Sequence, residues 1–353
     1  MTADDSSIAR QGAALPTSKG PGTADKLSVS VHFVREVLRH ALDHGVDPLL
    51  LLRRLRIPPR LLREPQARIG IQQFADLQTL TMQAMGDESL GYAQRRVPLG
   101  AWAMMCQAVI TANTLGQALA RYCRFFQLFD EGIPVRLEQD SQLASVILDA
   151  RITGRGSYFA ELVLLNTHRF ACWLVQEELP LREVRFAAQP SASPADYRLM
   201  FLANPVEFEA QENALVMAAS LLEKPVRQTP ETLARYLRHP TLVMLTTLYR
   251  DSWTARVREK LRRDLRHMPE LPDVAEKLEL HPQTLRRRLA TEGTTFKQLK
   301  SDIRRDTALH FLAKRALSVE EVAHRAGFSE ASAFIRAFKG WTGLTPYAYR
   351  KGL

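Results

Sequence analysis

The sequence has few cysteines and none of the spacings that build a cysteine-based site. Its three cysteines, Cys106, Cys123 and Cys172, are odd in number and far apart, and no CxxC pair occurs. Neither a disulfide framework nor a zinc site is indicated. Because free cysteine is among the most buried residue types, we expect all three to pack as small apolar side chains.

Long apolar runs and a leader peptide are also missing. No apolar run approaches the length of about 18 residues that a membrane-spanning helix needs. The first 27 residues lack the charged-then-apolar order of a signal peptide, and their Ser, Thr, Gly, Ala and Asp content predicts a disordered tail. We therefore expect a cytoplasmic protein with no membrane partner.

Catalytic motifs are absent as well. The sequence contains no GxSxG, no HExxH and no phosphate-binding glycine loop. An i, i+4 series could capture a metal on one helix face, and it consists of His32, Glu36, His40 and His44. A spacing of four drifts around a helix, however, and this series flanks an apolar stripe, which favours a polar border. We predict no catalytic residues, no cofactor and no metal.

The charge is divided unevenly along the chain. Residues 1–229 hold 24 Lys and Arg against 24 Asp and Glu, whereas residues 230–353 hold 24 against 14, a net charge of +10. A chain of 353 residues is also long enough for two domains. A neutral domain followed by a basic one is the electrostatic footprint of a nucleic-acid binder. A membrane-surface patch would look similar in bulk, so charge alone does not decide.

The residue periodicity changes at about the same place as the charge. Residues 28–222 predict an α+β domain, with helices within 33–42, 71–85, 103–110, 115–126 and 158–178. The segments PVRLEQD, LASVILDAR, LREVRFAA and PVEFEAQENALVM alternate as strands do, and EQDSQ predicts a hairpin turn between the first two. Residues 223–252 form a polar, Pro-containing linker, and residues 253–353 predict an all-α domain.

The basic domain contains an internal repeat. PDVAEKLELHPQTLRRRL at residues 272–289 and VEEVAHRAGFSEASAFIRAF at residues 319–338 each combine a short helix, a tight turn and a second helix. Each first helix has a small residue at its centre, Ala275 or Ala323, which lets two helices cross closely. The repeat predicts two helix-turn-helix subdomains.

The second helix of each unit carries the case for DNA. With Leu285 and Leu289 facing inward, the exposed face of the first unit comprises Gln283, Thr284, Arg286 and Arg287. Gln and Arg are the side chains that form hydrogen bonds with the edges of adenine and guanine. With Phe334 and Phe338 inward, the second unit presents Glu330, Ala331, Ser332 and Arg336. Pro282 suits the first turn of its helix, and Ser329 is predicted to cap the other. A single RRR run in a helix is commonly a solvated face. Because this run lies in one of two tandem units within the basic part of the chain, a DNA-contacting face is favoured instead.

At these residues the chain resembles the DNA-binding domain of the AraC/XylS transcriptional regulators. The similarity covers VAEKLELHPQTLRRRLATEGTTF, IRRDTALHFLAKRALSVEEVAHRAGFSEASAFIRAFKGWTGLTPYAYR and the terminal GxxPxxYR spacing. It implies two subdomains bridged by a rigid helix at about residues 302–315, with both recognition helices in successive major grooves. By position, it implies base or groove contacts from Gln283, Arg286, Arg287, Ala331, Ser332 and Arg336.

Two positions depart from the family pattern. The turn position that holds Gly327 in the second unit is Glu279 in the first, where a positive φ costs a non-glycine residue on the order of 1 kcal/mol. The usual Ser cap before the first recognition helix is His281. Both departures affect the position of the first recognition helix, which the sequence alone does not define.

The amino-terminal segments LLRRLRIPPRLLREPQARIGIQQFADLQ, TANTLGQALARYCRFFQLF and RLMFLANPVEFEAQENALVM resemble the arabinose-binding-type regulatory domain of one branch of the family. The resemblance implies an effector-binding and dimerisation domain over residues 28–222, without implying arabinose. An apolar effector pocket and a structural core explain the same aromatic and Met side chains, namely Trp102, Met104, Met105, Tyr122, Phe125, Phe126 and Trp173. The effector-binding residues therefore stay unassigned.

Together these features predict a sequence-specific, double-stranded-DNA-binding transcriptional regulator. We expect a homodimeric activator that answers to a small-molecule effector and can contact RNA polymerase, with activation favoured on family grounds. The alternatives are an effector-independent repressor and a nucleic-acid-binding scaffold. An RNA scaffold is disfavoured because the basic domain has no predicted strands and its aromatics lie at core spacing.

Overall fold

The computed structural model describes residues 28–65, 67–128, 133–149, 158–192, 196–197, 200–201, 205–246, 253–265, 267–292, 294–314 and 316–351. The predicted disordered tail, residues 1–27, lies outside this part of the chain. Within it, an amino-terminal domain of helices and strands is followed by helices alone, which confirms the predicted fold class. No helix in the described ranges is long and apolar enough to cross a membrane.

Six α-helices lie in the described part of the first 175 residues, and local sequence signals set their ends. They are α1 (Val31–Leu38), α2 (Pro48–Arg54), α3 (Ile71–Met85), α4 (Ala101–Val109), α5 (Leu115–Gln127) and α6 (Tyr158–Val175). The Ser30 and Thr114 hydroxyls cap α1 and α5 by accepting backbone N–H groups. Gly86, with φ of 63°, ends α3 in the left-handed conformation that glycine adopts without penalty. The predicted helices are confirmed to within a few residues.

A five-stranded sheet covers one side of these helices. Its strands run in the order β3 (Val135–Gln139), β4 (Leu143–Leu148), β7 (Asn213–Ala218), β5 (Glu183–Arg185) and β6 (Val206–Glu207). The β3–β4 pair is antiparallel, as the EQDSQ turn predicts, and only the β5–β6 pair in this sheet is parallel. A separate small sheet pairs β1 (Ser28–Ser30) with β2 (Arg68–Gly70). This second sheet lies at the boundary with the basic domain.

The segment predicted as a linker contains two helices that pack on the amino-terminal domain. They are α7 (Pro230–Tyr236) and α8 (Pro240–Thr246). The buried Tyr236 ring lies 4.5 Å from the Trp173 ring, and its hydroxyl accepts a hydrogen bond from Trp102 Nε1 at 3.2 Å. Amphipathic residues in this segment therefore extend the core of the amino-terminal domain rather than spacing two domains apart.

The basic domain consists of seven helices in the described residues. They are α9 (Trp253–Arg263), α10 (Leu271–Glu276), α11 (Pro282–Thr291), α12 (Phe296–Leu312), α13 (Val319–Arg325), α14 (Ala331–Thr342) and α15 (Pro346–Lys351). The bridging helix α12 begins earlier than residue 302, because Thr295 caps it by accepting a hydrogen bond from Gln298 N at 3.1 Å.

The two helix-turn-helix units differ in how their cores are built. The first has a core of its own, formed by α9 to α11 and the amino-terminal half of α12 and centred on Val257, Val274, Leu285 and Ile303. The second unit, with Phe334 and Phe338, shares one continuous core with the amino-terminal domain. Apolar packing therefore fixes the second unit to the regulatory domain and leaves the first unit as a separately packed body.

The three cysteines are buried and unpaired, as expected from the sequence. Burial raises the pKa of the Cys123 thiol to about 12 and that of the Cys172 thiol to about 12, because a thiolate would be poorly solvated there. Their role is packing.

A buried histidine makes the stability of this fold depend on pH. His168 is 1% exposed, and its Nε2 donates a hydrogen bond to the Leu179 carbonyl at 2.8 Å. Burial lowers the pKa of His168 to about 4, and the hydrogen bond to Leu179 only partly opposes that effect. The imidazole is therefore neutral in the folded protein over most of the acidic range.

We predict that the free energy of unfolding falls as the pH drops from about 6.5 to about 4, because the unfolded chain protonates His168 and the folded chain does not. The full loss from this group is about 3 kcal/mol. Urea unfolding of the wild-type protein and of His168→Gln at several pH values in this range measures the free energy of unfolding. That free energy should depend less on pH in the variant than in the wild type. The control is His239→Gln at an exposed site. Equal pH slopes in wild type and His168→Gln would contradict the prediction.

Candidate DNA-binding surface and the domain junction

The first helix-turn-helix unit has the crossing that the repeat predicts. Ala275 on α10 is completely buried, and Leu285 and Leu289 on α11 face inward beside it. Pro282 occupies the first turn of α11. The His281 imidazole takes the place of the usual Ser cap, because its Nδ1 accepts a hydrogen bond from Gln283 N at 3.3 Å. The substitution of His for Ser therefore preserves the start of the recognition helix.

The outer face of α11 holds the predicted contact residues. Gln283, Arg286 and Arg287 are exposed, and Thr284 is half-buried. Arg286 Nη1 donates a hydrogen bond to Gln283 Oε1 at 3.1 Å, so the amide oxygen is the atom of Gln283 that this contact uses. Arg287 forms no ion pair with any residue in the described ranges. This face is open, basic and suited to a major groove.

The third arginine of the RRR run has a structural role. Arg288 is half-buried, and its guanidinium lies 4.1 Å from the centroid of the Trp253 ring. That cation–π contact joins α11 to α9. Only two of the three consecutive arginines are therefore available to DNA.

The second unit repeats the crossing with a smaller face. Ala323 on α13 is buried, and Phe334 and Phe338 on α14 have no solvent exposure. Ser332 and Arg336 are exposed on the opposite side, and Ala331 is half-buried. Among the predicted contact residues, this face has one arginine where α11 has two.

The prediction that Ser329 caps the second recognition helix is wrong. The residue at the cap is Glu330, with φ of −122° and ψ of 128°, and no side chain caps the helix there. Helical geometry begins at Ala331, one residue later than predicted, so the Ser329 hydroxyl lies outside the first turn. The preceding turn sets this position, because Phe328 N bonds to the Ala323 carbonyl at 3.0 Å.

The backbone of the turn is strained in the first unit, and the equivalent turn of the second unit is free of that strain. Glu279 has φ of 55° and Gly327 has φ of 80° at the equivalent turn positions. Glycine has no β-carbon to clash in this region, whereas glutamate does. In the second unit glycine is required for a further reason, because a β-carbon on Gly327 would meet the Leu265 carbonyl of the neighbouring unit at 2.5 Å.

Charged groups join the two domains beside helix α12. The Ser28 hydroxyl of β1 donates to Asp306 Oδ1 at 2.6 Å, and Arg68 Nε of β2 donates to Ser28 Oγ at 3.0 Å. Arg305 pairs with Asp302 at 3.0 Å and with Asp306 at 3.2 Å. Burial lowers the pKa of Arg305, but attraction to Asp306 and Asp302 outweighs it, so that pKa lies above its ordinary value. The hydrogen bond from Ser28 to Asp306 thus joins the two domains, and the ion pairs of Arg305 with Asp302 and Asp306 lie within α12.

A second contact lies at the end of the second recognition helix. Gly343 ends α14 with φ of 74°, and a β-carbon there would collide with the Glu64 carboxylate. The close approach of Glu64 to this backbone places the 3₁₀ segment Pro59–Arg63 directly beside the carboxyl end of α14. The amino-terminal domain therefore also contacts the basic domain at this end of α14.

A cavity of about 880 Å³ opens between the two domains next to this charged junction. Its regulatory-domain wall comes from α1, α3, α6 and α8, and its other wall comes from α9 and α12 of the basic domain. The volume falls in the range of small-molecule sites.

The side chains that sequence reasoning considered for an effector pocket lie elsewhere. Met105, Tyr122, Phe126 and Trp173 are buried, Trp102 and Phe125 are half-buried in the same core, and Met104 is 58% exposed. None of them lines the cavity. The structural-core explanation therefore fits these side chains except the exposed Met104. No local sequence signal identified the cavity, because its walls come from segments far apart in the chain.

The polar series His32, Glu36, His40 and His44 does not lie on one helix, because α1 ends at Leu38. Glu36 is buried and accepts hydrogen bonds from Arg39 and from the Tyr92 hydroxyl, while His44 Nδ1 bonds to the His40 carbonyl. No cluster of three potential metal ligands occurs in the part of the chain that the structure describes. These contacts belong to the packing of α1.

The fold and the exposed faces define a two-domain DNA-binding protein, in which paired helix-turn-helix units follow a separate regulatory domain. Residues 45–226 match the family described as the arabinose-binding domain of AraC transcription regulators, and residues 274–352 match a helix-turn-helix domain family.

Relatives cover most of the chain or its carboxyl-terminal part. An ornithine utilization regulator of Pseudomonas aeruginosa is 30% identical over 330 residues, which are 92% of this chain and 96% of that protein. A urease operon transcriptional activator of Escherichia coli is 41% identical over 80 residues, covering 23% of this chain and 27% of that one. The crystal structure of the transcriptional regulator CdpR from Pseudomonas aeruginosa shares 22% identity over 91% of this chain and 98% of its own, with a TM-score of 0.28.

The chain belongs to the AraC family of transcriptional regulators. Its matched domains and its relatives are those of transcription regulators and not of enzymes.

The strained turn of the first unit yields a test. We predict that Glu279→Gly raises the free energy of unfolding by about 1 kcal/mol, because glycine adopts the positive φ without a steric penalty. Glu276→Gly, three residues earlier in the last turn of α10, should instead lower it by about 0.5–1 kcal/mol. Urea unfolding followed by tryptophan fluorescence compares the two. Destabilisation by both substitutions would show that the Glu279 side chain contributes more than its backbone strain costs.

Proposed function

We propose that this protein recognises promoter DNA through α11 and α14 and regulates transcription in response to a small molecule. One observation carries the proposal: two helix-turn-helix units, joined by one continuous helix, each expose a recognition face with Arg and polar side chains. The residues proposed to contact DNA are Gln283, Thr284, Arg286, Arg287, Ala331, Ser332 and Arg336. Two units on one rigid helix gain affinity through effective concentration.

The two faces would contribute unequally. The α11 face has two exposed arginines and a glutamine, so it suits bidentate contacts with guanine and adenine. The α14 face has a single arginine among small residues, which suits backbone positioning. We propose that the first unit supplies most of the sequence reading and that the second unit anchors the protein.

The regulatory domain is proposed to sense a metabolite and to support a homodimer. The match to the arabinose-binding domain family supports the sensing of a metabolite. A relative that is named an ornithine utilization regulator is in line with control by a small metabolite. A relative named a urease operon transcriptional activator favours activation, which implies contact with RNA polymerase. A reporter gene placed behind the bound promoter decides the sign of regulation.

The DNA contacts can be tested by substitution. We predict that Arg287→Ala and Arg336→Ala each lose roughly 1–3 kcal/mol of specific binding free energy. Arg287→Ala should relax base preference at one position, whereas Arg336→Ala should weaken binding to all sequences alike. The measurement is competition binding to a fragment that the wild-type protein selects from a random duplex pool, with each variant assayed on single-base changes.

Arg235→Ala serves as the control, because Arg235 is exposed on α7 of the regulatory domain. Its affinity for DNA should equal that of the wild type. If Arg287→Ala and Arg336→Ala both bind DNA with unchanged affinity, the assignment of these residues to the DNA grooves is refuted. Affinity should also fall steeply with salt, since each neutralised phosphate releases counterions.

A further inference from the structure

The amino-terminal region, although its charges sum to zero, contains a strongly basic stretch at residues 48–65. This stretch holds five arginines and one acidic residue, whereas the rest of residues 1–229 holds 19 Lys and Arg against 23 Asp and Glu. We call the five arginines the arginine patch: Arg53, Arg54, Arg56, Arg60 and Arg63. The regulatory domain therefore has a local excess of positive charge within an otherwise acidic region.

The arginine patch is open to solvent, and the protein does not neutralise its charges. All five residues are exposed, and none forms an ion pair with a residue in the described ranges. Arg39 and Arg68, on either side of the patch in the sequence, do pair with acidic residues, Glu36 and Asp196. Like charges this close together repel one another, so an anionic partner would lower the energy of the patch.

Arg60 and Arg63 lie in the segment that reaches the basic domain. They are three residues apart in the 3₁₀ segment Pro59–Arg63, and since a 3₁₀ helix has three residues per turn, their side chains leave the same side of it. The next residue, Glu64, is half-buried, and its carboxylate lies against the backbone of Gly343 at the end of α14. This pair of arginines is therefore held beside the carboxyl end of the second recognition helix.

The exposed face of α14 runs along the helix toward this contact. At 3.6 residues per turn, the positions of this face fall within about 60° of one another, and they are Ser332, Arg336, Lys339 and, at the helix end, Gly343. Arg336 and Gly343 are about 10 Å apart along the axis, at 1.5 Å per residue. The major groove is about 12 Å wide and has a phosphate backbone along each edge. A helix that places Arg336 in the groove therefore brings the arginine patch close to the phosphates beside it.

A membrane surface is the competing partner for this patch. Leu49 and Leu50 of α2 are 44% and 62% exposed just before the first arginines, and exposed leucines beside arginines also suit a lipid headgroup layer. Continuity with the α14 face favours DNA instead. Lys339 lies one turn before Gly343, and Arg63 directly precedes the residue that contacts Gly343, so cationic side chains are present on both sides of the contact.

We propose that the arginine patch is a second DNA-contacting surface, in which Arg60 and Arg63 bind the phosphate backbone just beyond the base pairs that α14 contacts. This inference rests on the proposed function, because it requires α14 to lie on DNA. The regulatory domain then adds affinity without adding base preference, since phosphate contacts carry no sequence information directly.

The packing of the second unit supports a joint surface. Phe334 and Phe338 of α14 share one continuous core with the regulatory domain, so α14 and the arginine patch keep a fixed relation to each other. Two surfaces that are already arranged before binding lose little conformational freedom when DNA binds. The second unit and the patch would anchor the protein together, while the first unit reads sequence.

The test uses the full-length protein and three duplexes derived from the fragment that the wild-type protein selects. The shortest ends at the outermost base pairs at which substitution changes affinity, and the other two extend it on one side by about ten base pairs, one helical turn. The α14 side is the side away from the base pair whose preference depends on Arg287. We expect the wild-type protein to bind the duplex extended on the α14 side several-fold more tightly than the shortest one.

The double variant Arg60→Gln/Arg63→Gln should lose this gain. On the duplex extended on the α14 side, the slope of log affinity against log salt concentration should also become shallower by about 2, because each phosphate contact contributes about 0.9. On the shortest duplex, the variant should bind as the wild type does. Both side chains are exposed and unpaired, so the substitution removes no ion pair from the described fold.

Two controls separate charge from structure. Arg60→Lys/Arg63→Lys retains the positive charge and should retain the gain and the salt slope. Arg96→Gln/Arg124→Gln removes two exposed arginines of the regulatory domain outside the patch and should bind all three duplexes as the wild type does.

Three results would overturn the inference. The first is wild-type affinity and salt slope of Arg60→Gln/Arg63→Gln on every duplex. The second is an equal loss on all three duplexes, because a contact beyond the α14 site requires the extension. The third is weaker binding of this variant to phosphatidylglycerol vesicles with unchanged binding to DNA, which would assign the patch to a membrane.

Failure of the proposed function gives a different pattern. If Arg287→Ala and Arg336→Ala leave DNA affinity unchanged, the groove assignment fails and the patch inference fails with it. If those two variants bind weakly and Arg60→Gln/Arg63→Gln behaves as the wild type does, only the patch inference fails.

Discussion

Helix α12 packs against three parts of the molecule at once, and the arrangement of the two domains depends on it. Its first half, with Leu299 and Ile303, completes the core of the first helix-turn-helix unit. Its second half, with Leu309 and Leu312, belongs to the core shared by the second unit and the regulatory domain. Between them, Asp302, Arg305 and Asp306 form the buried ion pairs of the domain junction. A shift of this helix therefore cannot be confined to one unit.

The charged junction gives this arrangement specificity more than stability. Taking several ionised groups out of water is costly, and the Coulomb attraction recovered is often no larger than that cost. What such a network does provide is a single register, because the Ser28 hydroxyl, the Arg68 guanidinium and the Asp306 carboxylate fit together in one position only. An apolar contact between β1 and α12 would tolerate sliding.

The two recognition helices differ for reasons that the packing makes clear. The second unit is docked through Phe334 and Phe338 and by the contact of Glu64 with Gly343, so its position follows the regulatory domain. The first unit has its own core, a strained turn at Glu279 and the more basic outer face. The unit with a separate core is thus the one with more exposed arginines among the predicted contact residues.

The sequence by itself determined several features that depend on neighbours along the chain. Helical periodicity located α3 to the residue, the EQDSQ turn predicted the β3–β4 hairpin, and the spacing of Leu285 and Leu289 identified which side of α11 faces outward. Tertiary structure decided what depends on distant segments. The Phe328 to Ala323 hydrogen bond moved the start of α14 beyond Ser329, and packing on Trp173 incorporated α7 into the regulatory domain. The cavity joins side chains from α1 to α12, whose juxtaposition follows from the pairing of β1 with β2 and from the burial of α12, and no local pattern contains that information.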